Sequence, residues 1–215
     1  MFKKILSYIF YFEQSRISLH NGKVRVILRE GKKILNTDHA NYSFGSLHRI
    51  MRFALGNITL GTDEDILLLG LGGGSVIDIV RNDLHLSNKL VAVDIDPVII
   101  EIARQEFALD SYENTEIICA DAYEYIEKEA GEYGLIIIDL FIDNKVPEKF
   151  YGDIFWGHIS RILSQNGQII FNTMIENNSR ELFDTLTQNL ENKGFLVTIH
   201  EKVAGSNVMM IMKRK

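Results

Sequence analysis

The sequence predicts an α/β fold with a doubly wound, mostly parallel sheet that ends in an antiparallel hairpin and is preceded by a small N-terminal β-meander. Three observations lead to this fold class. Apolar runs alternate with amphipathic segments from Asp65 onward, which is typical of parallel strands covered on both faces. A glycine-rich turn follows the first of these runs, in ILLLGLGGGSVIDIV (66–80). Two later apolar runs are separated only by EKVAGS (201–206), which is too short for a helical crossover.

We divide the chain into an N-terminal helix and β-meander at residues 1–41 and a ligand-binding domain at residues 42–215. The apolar segment at residues 1–14 is too short to span a bilayer and lacks a small-residue cleavage site. It predicts a short amphipathic helix that docks on the domain or on a second subunit. Alternating polar and apolar residues then predict three strands, with a hairpin turn at Asn21-Gly22, in RISLH, KVRVILRE and KKILNT.

The ligand-binding domain begins with a helix whose apolar residues recur at helical spacing and which ends at Gly56. Parallel strands are then predicted in ILLLG, LVAVD, EIICA, LIIID and QIIFNT. Amphipathic patterns predict helices around residues 75–83, 97–108, 122–130, 148–163 and 178–193. The runs GFLVTIH and NVMMIMK complete the sheet as the antiparallel hairpin.

Composition and charge narrow the function. The chain has 215 residues, 46% of them hydrophobic, and a formal net charge of −6, so its overall field repels nucleic acid. The single cysteine, Cys119, cannot form an internal disulfide and fits a reducing cytosol, and its setting in EIICADA predicts a buried strand position. The six histidines show no metal-ligand spacing. We therefore expect a cytoplasmic protein that acts on a small molecule and binds no nucleic acid, membrane or metal.

The glycine turn predicts a ligand site at the end of the first parallel strand. Gly70, Gly72, Gly73 and Gly74 stand between a strand and a helix, where glycine permits positive φ and lets backbone N–H groups approach a ligand. The alternative is a tight turn between packed elements. No lysine follows the glycines, which argues against a nucleoside triphosphate P-loop. Ser75 stands where a G-x-G-x-x-G dinucleotide motif requires glycine.

Three aspartates that follow successive strands point to the same edge of the sheet. Asp94, Asp121 and Asp139 each lie at the carboxyl end of a predicted strand, where open parallel sheets bind ligands. A carboxylate at Asp94 can accept hydrogen bonds from two ribose hydroxyls, and one at Asp121 can accept a bond from an adenine amino group. Any one of them alone is more often a helix cap. Three in succession favour a nucleoside site.

Several of these motifs resemble one family. LLLGLGGGSV, VDIDPVIIEIAR, ICADAYEYI, LIIIDLF and the hairpin are similar to class I S-adenosylmethionine-dependent methyltransferases, and more narrowly to their spermidine synthase-like branch, which is related to polyamine aminopropyltransferases. That branch carries V-E-I-D-P-x-V-I-x-x-A-R where this chain has VDIDPVIIEIAR, and it also begins with a β-meander. The resemblance covers residues 16–213 and implies a Rossmann-like methyltransferase fold.

The resemblance also implies roles for the candidate residues. The glycines would contact the amino-acid end of S-adenosylmethionine, Asp94 would hold the ribose, and Asp121 would hold the adenine amino group. Ile95 and Ala122 would flank the adenine ring, although both positions also suit plain packing residues. The branch often associates through its N-terminal β part, and the apolar run ILSYIFYF is a poor surface for a lone domain, so we expect a homodimer.

Two transfer chemistries are open, and three departures from the synthase motifs favour methyl transfer. The synthases carry an aspartate at the position of Gly73, a second acid at that of Ile142, and Y-[HQ]-E where residues 44–46 read FGS. Fewer fixed anions disfavour a diamine acceptor, whereas a glycine tolerates the carboxylate of intact S-adenosylmethionine. Aminopropyl transfer from decarboxylated S-adenosylmethionine is the alternative. A cofactor-binding protein without turnover is a third possibility.

On the acceptor side, the resemblance points to Asp139 as a general base or as a group that holds the acceptor, with a loop cap as the alternative. Asp143 lies one residue beyond the second synthase acid, and Tyr42 lies on the segment that would cover the site. Both are candidates for substrate binding. The aromatic residues of 140–156 could line an acceptor pocket or belong to the core.

Overall fold

Two sheets make up the fold. The computed structural model describes residues 2–37, 46–142, 145–174, 180–203 and 207–215. These residues form a three-stranded antiparallel sheet and a seven-stranded, mostly parallel sheet flanked by helices. The predicted fold class is therefore confirmed. Among these residues, no helix combines the length and the apolarity needed to cross a bilayer.

The N-terminal residues form the predicted β-meander. Helix α1 spans Phe2–Leu6, and strands β1, β2 and β3 span Phe12–Ser18, Gly22–Arg29 and Lys32–Asn36. The turn between β1 and β2 ends at Gly22, whose φ of +61° suits glycine. Helix α1 has only five residues, and β1 begins four residues before the predicted RISLH strand, because Phe12 already pairs with Leu28 of β2.

The main sheet has the strand order β6-β5-β4-β7-β8-β10-β9. Its strands span Ile66–Leu69 (β4), Leu90–Asp94 (β5), Thr115–Cys119 (β6), Tyr133–Ile138 (β7), Leu163–Met174 (β8), Phe195–Val203 (β9) and Asn207–Arg214 (β10). Strands β4 to β8 pair in parallel, so their carboxyl ends meet at one edge. The strand order reverses at β4, which is where doubly wound sheets leave a crevice for ligands.

Helices connect the strands at the predicted places. They span Ser46–Leu55 (α2), Ser75–Asp78 (α3), Pro97–Phe107 (α4), Ala122–Lys128 (α5), Asp153–Ile162 (α6) and Arg180–Asn192 (α7). Helix α3 continues into a π-helical turn at Ile79–Asp83, and short 3₁₀ turns lie at Leu109–Ser111 and Glu148–Tyr151. The helix predicted at 148–163 is thus divided at Gly152 into a 3₁₀ turn and α6.

Apolar cores lie on both faces of the main sheet, because alternate residues of β4 contribute to different clusters. One core contains Trp156 of α6, and the other contains residues of α2, α3 and α4. A smaller cluster joins the meander to the domain, where Val24 and Leu35 pack with Ile99 and Ile102 of α4. The meander is therefore anchored on the helix that follows β5.

Two details differ from or extend the sequence predictions. The hairpin of β9 and β10 is antiparallel as predicted, but β10 lies between β8 and β9 and pairs with both. This order agrees with the burial of the strands, since Val208–Met212 of β10 are all buried while β9 is largely exposed. The prediction that Cys119 is buried is wrong, because β6 is an edge strand of the sheet and Cys119 is exposed.

Candidate active site

The predicted ligand residues lie in one row along the carboxyl edge of the main sheet. Because β6, β5, β4 and β7 are neighbours in that order, Asp121, Asp94, the glycine turn and Asp139 follow one another across the edge. The glycine turn therefore lies at the strand-order reversal, with one acid beside it on β5 and another beside it on β7. The structure brings the three predicted aspartates to one side of the sheet.

The glycine turn combines positive φ angles with close backbone packing. The φ angles are +96° at Gly70, +52° at Gly72 and +81° at Gly74. A Cβ atom at Gly70 would lie 2.1 Å from the carbonyl oxygen of Asp139. Gly73 is buried but does not have a positive φ. Positive φ angles therefore account for glycine at positions 70, 72 and 74, and close packing adds to this at Gly70. Gly73 has no such conformational requirement.

Asp94 ends β5 and holds the glycine turn in place. Its Oδ2 atom accepts hydrogen bonds from the N–H groups of Leu71 at 2.9 Å and Gly72 at 3.3 Å, and its Oδ1 atom accepts one from the N–H of Asp96 at 2.9 Å. Burial raises the pKa of Asp94 above its ordinary value, and these N–H groups offset only part of the rise. Carboxylate oxygens can accept more than one bond each, so this geometry accommodates the predicted ribose contact, which stays a prediction.

Asp121 is the N-cap of α5 and is also half of an ion pair. Its Oδ1 atom accepts hydrogen bonds from the N–H groups of Tyr123 at 2.7 Å and Glu124 at 3.4 Å, and its Oδ2 atom lies 2.8 Å from Nζ of Lys149. Partial burial favours the neutral acid, but Lys149 and the two N–H groups outweigh it and hold the pKa of Asp121 below its ordinary value. The cap interpretation of Asp121 is confirmed, and its adenine contact stays a prediction.

The remaining nucleoside-side and substrate candidates fall into different settings. Ile95 is 41% exposed beside Asp94, so it is available to a ring. Ala122 is buried in the apolar core, which fits the packing alternative. Tyr42 and Asp143 lie outside the described residues. Within the described part of the chain, no group of three or more His, Cys, Asp or Glu side chains could hold a metal ion.

Asp139 follows β7, and its carboxylate contacts a chain of two side-chain amides, the first of them buried. Its Oδ1 atom accepts a hydrogen bond from Nδ2 of Asn172 at 2.8 Å, and Oδ1 of Asn172 accepts one from Nδ2 of Asn207 at 2.9 Å. Burial raises the pKa of Asp139 to about 6, which the Asn172 amide opposes and the charge of Asp94 reinforces. Sequence reasoning missed both asparagines, although a polar residue within the apolar run QIIFNT was a signal for Asn172.

The aromatic side chains after Asp139 belong mostly to the core. Four of them are buried, namely Phe150, Tyr151, Phe155 and Trp156. The hydroxyl of Tyr151 hydrogen-bonds that of Thr173 at 2.6 Å. The core interpretation is therefore confirmed for these four residues. Phe141 is partly buried against the same core, and Ile142, at the position of the second synthase acid, is 55% exposed.

Asp96 is a further site residue that sequence reasoning missed. It is fully buried, and its Oδ1 atom accepts hydrogen bonds from the N–H groups of Val98 at 2.9 Å and Ile99 at 3.4 Å at the start of α4. Proline at the first position of α4, directly after Asp96, was a local signal for this cap. The bond from its N–H to Asp94 had no such signal.

Comparisons with known proteins agree with this arrangement. Residues 48–213 match the family described as the spermine/spermidine synthase domain. A polyamine aminopropyltransferase of Vibrio vulnificus is 35% identical over 114 residues, which cover 51% of this chain and 38% of that protein. The eEF1A lysine and N-terminal methyltransferase of Mus musculus is 31% identical over 127 residues, which cover 54% of this chain and 18% of that protein. The matched part is thus well under half of either relative.

The fold is also similar to that of human methyltransferase-like protein 13, solved in complex with SAH (S-adenosylhomocysteine). The TM-score is 0.66 at 22% identity, and the match covers 80% of this chain and 83% of that chain. At this identity the similarity shows the fold alone. The family match, by contrast, covers most of the sequence and includes the glycine turn, the three aspartates and the hairpin. The chain therefore belongs to the spermine/spermidine synthase domain family.

Proposed function

We propose that this chain transfers a methyl group from S-adenosylmethionine to a small-molecule acceptor. The observation that carries the proposal is the distribution of charge along the sheet edge. In residues 139–142 and 145–151 of the acceptor side, Asp139 is the one carboxylate that is not exposed. The same segment places a cation, Lys149, beside Asp121.

This distribution does not suit a diamine. A dication needs several fixed anions or acceptors before it can leave water. In this proposal Asp94 serves the ribose, and the charge of Asp121 is neutralised by Lys149. Lys149 would in addition repel an approaching ammonium group. An acceptor with one nucleophilic group and little charge fits the described residues better.

The glycine turn suits the intact cofactor. The amino-acid end of S-adenosylmethionine carries a carboxylate, and the turn offers backbone N–H groups at the start of α3 without a side-chain charge at Gly73. Asp94 would accept hydrogen bonds from the ribose hydroxyls, and Asp121 would accept one from the adenine amino group. Ile95 would contact the adenine ring.

Asp139 would act on the acceptor. S-adenosylmethionine supplies an activated methyl group, and the acceptor's lone pair forms the new bond to the methyl carbon as the carbon–sulfur bond breaks and its electrons stay on sulfur. Asp139 takes up the proton that the acceptor loses. A pKa of about 6 leaves this carboxylate ionised at pH 7 and still basic enough to accept a proton. Asn172 and Asn207 fix the direction in which the carboxylate points.

Aminopropyl transfer is the second candidate function. It is favoured by the retained acid at Asp139 and by the similarity to a polyamine aminopropyltransferase. In this case decarboxylated S-adenosylmethionine would bind at the glycine turn, and Asp139 would accept a proton from the attacking amine. The two candidates differ in cofactor charge, which makes the cofactor the most direct test.

Calorimetry with S-adenosylmethionine, its decarboxylated form, SAH and NAD tests the proposal. We expect the intact cofactor and SAH to bind, the decarboxylated form to bind at least about tenfold more weakly, equal to about 1.4 kcal/mol, and NAD not to bind. Asp94→Ala should abolish most of the binding, while Asp63→Ala, at an exposed aspartate before the amino end of β4, should not. A preference for the decarboxylated form, with transfer to putrescine, would establish the second candidate instead.

We also propose that the chain forms a homodimer in the cytoplasm through its N-terminal residues. Ile9 is 75% exposed and Leu19 is fully exposed. The other large apolar side chains exposed nearby are Ile5, Tyr8, Phe10, Tyr11 and Ile17. So much exposed apolar surface within residues 5–19 favours association. Light scattering should give the mass of a dimer for the wild type and of a monomer for Ile9→Lys. Ile154→Lys, at a similarly exposed site in α6, should remain a dimer. A monomeric wild type would contradict the proposal.

A further inference from the structure

The turn between β1 and β2 is joined to the candidate cofactor site by a chain of buried and partly buried hydrogen bonds. Ser18 is the last residue of β1 and Asn21 lies in the turn, and both are outside residues 48–213 that match the family. The hydroxyl of Ser18 donates a very short hydrogen bond to Oδ2 of Asp96, and Nδ2 of Asn21 donates to the same oxygen at 2.6 Å. Residues 78 and 75 positions apart in sequence thus meet on one buried carboxylate.

Ser18 is itself held by the turn. Its oxygen accepts hydrogen bonds from the N–H groups of His20 and Asn21, each at 3.0 Å, so its proton is left to donate to Asp96. Both Ser18 and Asp96 are buried. Since the other oxygen of Asp96 caps α4, its carboxylate accepts four hydrogen bonds and has no adjacent cation among these partners. Loss of the turn donors would leave a buried acceptor unsatisfied, which is costly.

The second half of the chain leads from Asp96 to the glycine turn. The N–H of Asp96 donates to Oδ1 of Asp94, and Oδ2 of Asp94 accepts from the N–H groups of Leu71 and Gly72. A side chain held at four points fixes the backbone of the β5–α4 connection, and with it the direction of the Asp96 N–H. The orientation of the Asp94 carboxylate therefore depends on contacts made by the meander.

We infer that Ser18, Asn21 and Asp96 are positioning residues for the cofactor, which set the orientation of Asp94 and of the glycine turn. The inference rests on the proposed function in so far as the ligand is a nucleoside cofactor. It makes the meander part of the cofactor site, in addition to any part it has in a dimer interface. None of the three residues needs to touch the cofactor.

The test compares Ser18→Ala with Ser15→Ala, which changes the same residue type at an exposed position of the same strand. Asn21→Ala, at the less deeply placed donor, serves if Ser18→Ala does not fold, and Ser18→Thr restores the hydroxyl. Calorimetry with SAH measures affinity at a temperature where each variant is fully folded. Hydrogen exchange of the Leu71 and Gly72 amides is measured without ligand.

We expect Ser18→Ala to weaken SAH binding by about tenfold and to speed exchange at Leu71 and Gly72, with Ser15→Ala unchanged and Ser18→Thr close to wild type. In a transfer assay the KM for the cofactor should rise while kcat stays unchanged. Unchanged affinity and unchanged amide exchange, with only a lower unfolding free energy, would overturn the inference. If wild type fails to bind SAH, the proposed function fails, but the exchange experiment still decides whether the turn positions the loop.

Discussion

The two halves of the sheet edge surround their carboxylates differently. On the side proposed to bind the nucleoside, Asp94 accepts three hydrogen bonds from backbone N–H groups, and Asp121 accepts two from N–H groups and one from Lys149. On the acceptor side, Asp139 accepts one bond from a described residue, the amide of Asn172. All three acids end or follow parallel strands, so their position in the fold does not explain the difference.

The difference in donors gives the same residue type opposite pKa shifts. Lys149 and the cap bonds hold the pKa of Asp121 low, so it stays ionised and fixes the start of α5. Asp139 is buried with fewer donors, so its pKa rises to about 6 and it can exchange a proton near neutral pH. Asp94 lies between these cases, since burial raises its pKa despite three donors. The number and kind of donors therefore separate an aspartate with a lowered pKa from one with a raised pKa.

The largest expected effect separates binding from chemistry. Asp139→Asn keeps the shape of the side chain but removes the base, so the transfer rate should fall by about 10²–10⁴ while the Kd for SAH stays within about twofold. Asp94→Ala removes ribose and loop contacts and should weaken SAH binding by about 30–100-fold, equal to about 2–3 kcal/mol. Calorimetry and a transfer assay measure the two effects. If Asp139→Asn weakened SAH binding as much as Asp94→Ala does, binding and chemistry would not be divided between the two halves of the sheet edge.

The close contact between Gly70 and the backbone of Asp139 is the next point to test. Gly70→Ala places a methyl group 2.1 Å from the backbone oxygen of Asp139 at a φ of +96°, so we expect it to lower the unfolding free energy by about 3 kcal/mol. Gly157→Ala in α6 meets no atom within 4 Å and should instead stabilise the protein by about 0.5–1 kcal/mol. Urea unfolding measures both. A Gly70→Ala protein as stable as wild type would contradict the close packing of Gly70 against Asp139.

The contributions of Asp139 and Asp121 to the free energy of unfolding should change with pH in opposite directions. The pKa of Asp139 is raised to about 6 in the folded protein, so its ionisation costs stability as pH rises through that value; Asp139→Asn should gain about 3 kcal/mol on wild type between pH 3 and pH 8. The pKa of Asp121 is lowered, so its contribution is present at neutral pH and is lost as pH falls through the folded pKa. Asp121→Asn, which retains a cap, should therefore cost stability at pH 7, and this cost should shrink as pH falls through the folded pKa of Asp121. Parallel pH profiles of unfolding for the two variants would contradict the contrast.

The smallest expected effect concerns charge at the glycine turn. Gly73→Asp should weaken the binding of intact S-adenosylmethionine and strengthen the binding of its decarboxylated form. The new carboxylate would face the carboxylate of the intact cofactor but an ammonium group of the decarboxylated form. We expect the ratio of the two dissociation constants to change by about tenfold, or about 1.4 kcal/mol. Gly73→Asn has the same shape without the charge and should leave the ratio unchanged. A ratio that responds equally to both substitutions would place the amino-acid end of the cofactor elsewhere.

Much of the fold was predictable because its signals are local. The apolar runs, the helix periodicity and the short connection before β10 each lie within a few residues, and they indicate the elements of the main sheet. The position of β10 between β8 and β9 is set by tertiary pairing, although the continuous apolar run at Val208–Met212 indicated an inner strand. The burial of Cys119 was predicted wrongly because the sequence of a single strand does not reveal whether that strand lies at the edge of its sheet.

The proximity of the candidate site residues was predictable to the same extent. The glycines and the three aspartates stand at strand ends, and strand ends in a parallel sheet share one edge, so their proximity follows from the order of the elements. The distant hydrogen-bond partners could not be found in this way, because Asn172 lies 33 residues from Asp139, and Ser18 lies 78 residues from Asp96. Hydrogen bonds between side chains so far apart leave no periodicity in the sequence.

The insertion of β10 between β8 and β9 has a consequence for how the protein folds. β9 is made before β10, yet pairing β9 directly with β8 would occupy the place that β10 takes in the native sheet. A hairpin forms locally in about 1–10 μs, so β9 and β10 are expected to pair first and then dock together on β8. Docking sets Asn207 opposite Met174 and brings its amide to Asn172. Asn172 therefore gains its contact with Asn207 late in folding, and a molecule whose hairpin has not docked would support Asp139 through an Asn172 side chain that lacks this second amide.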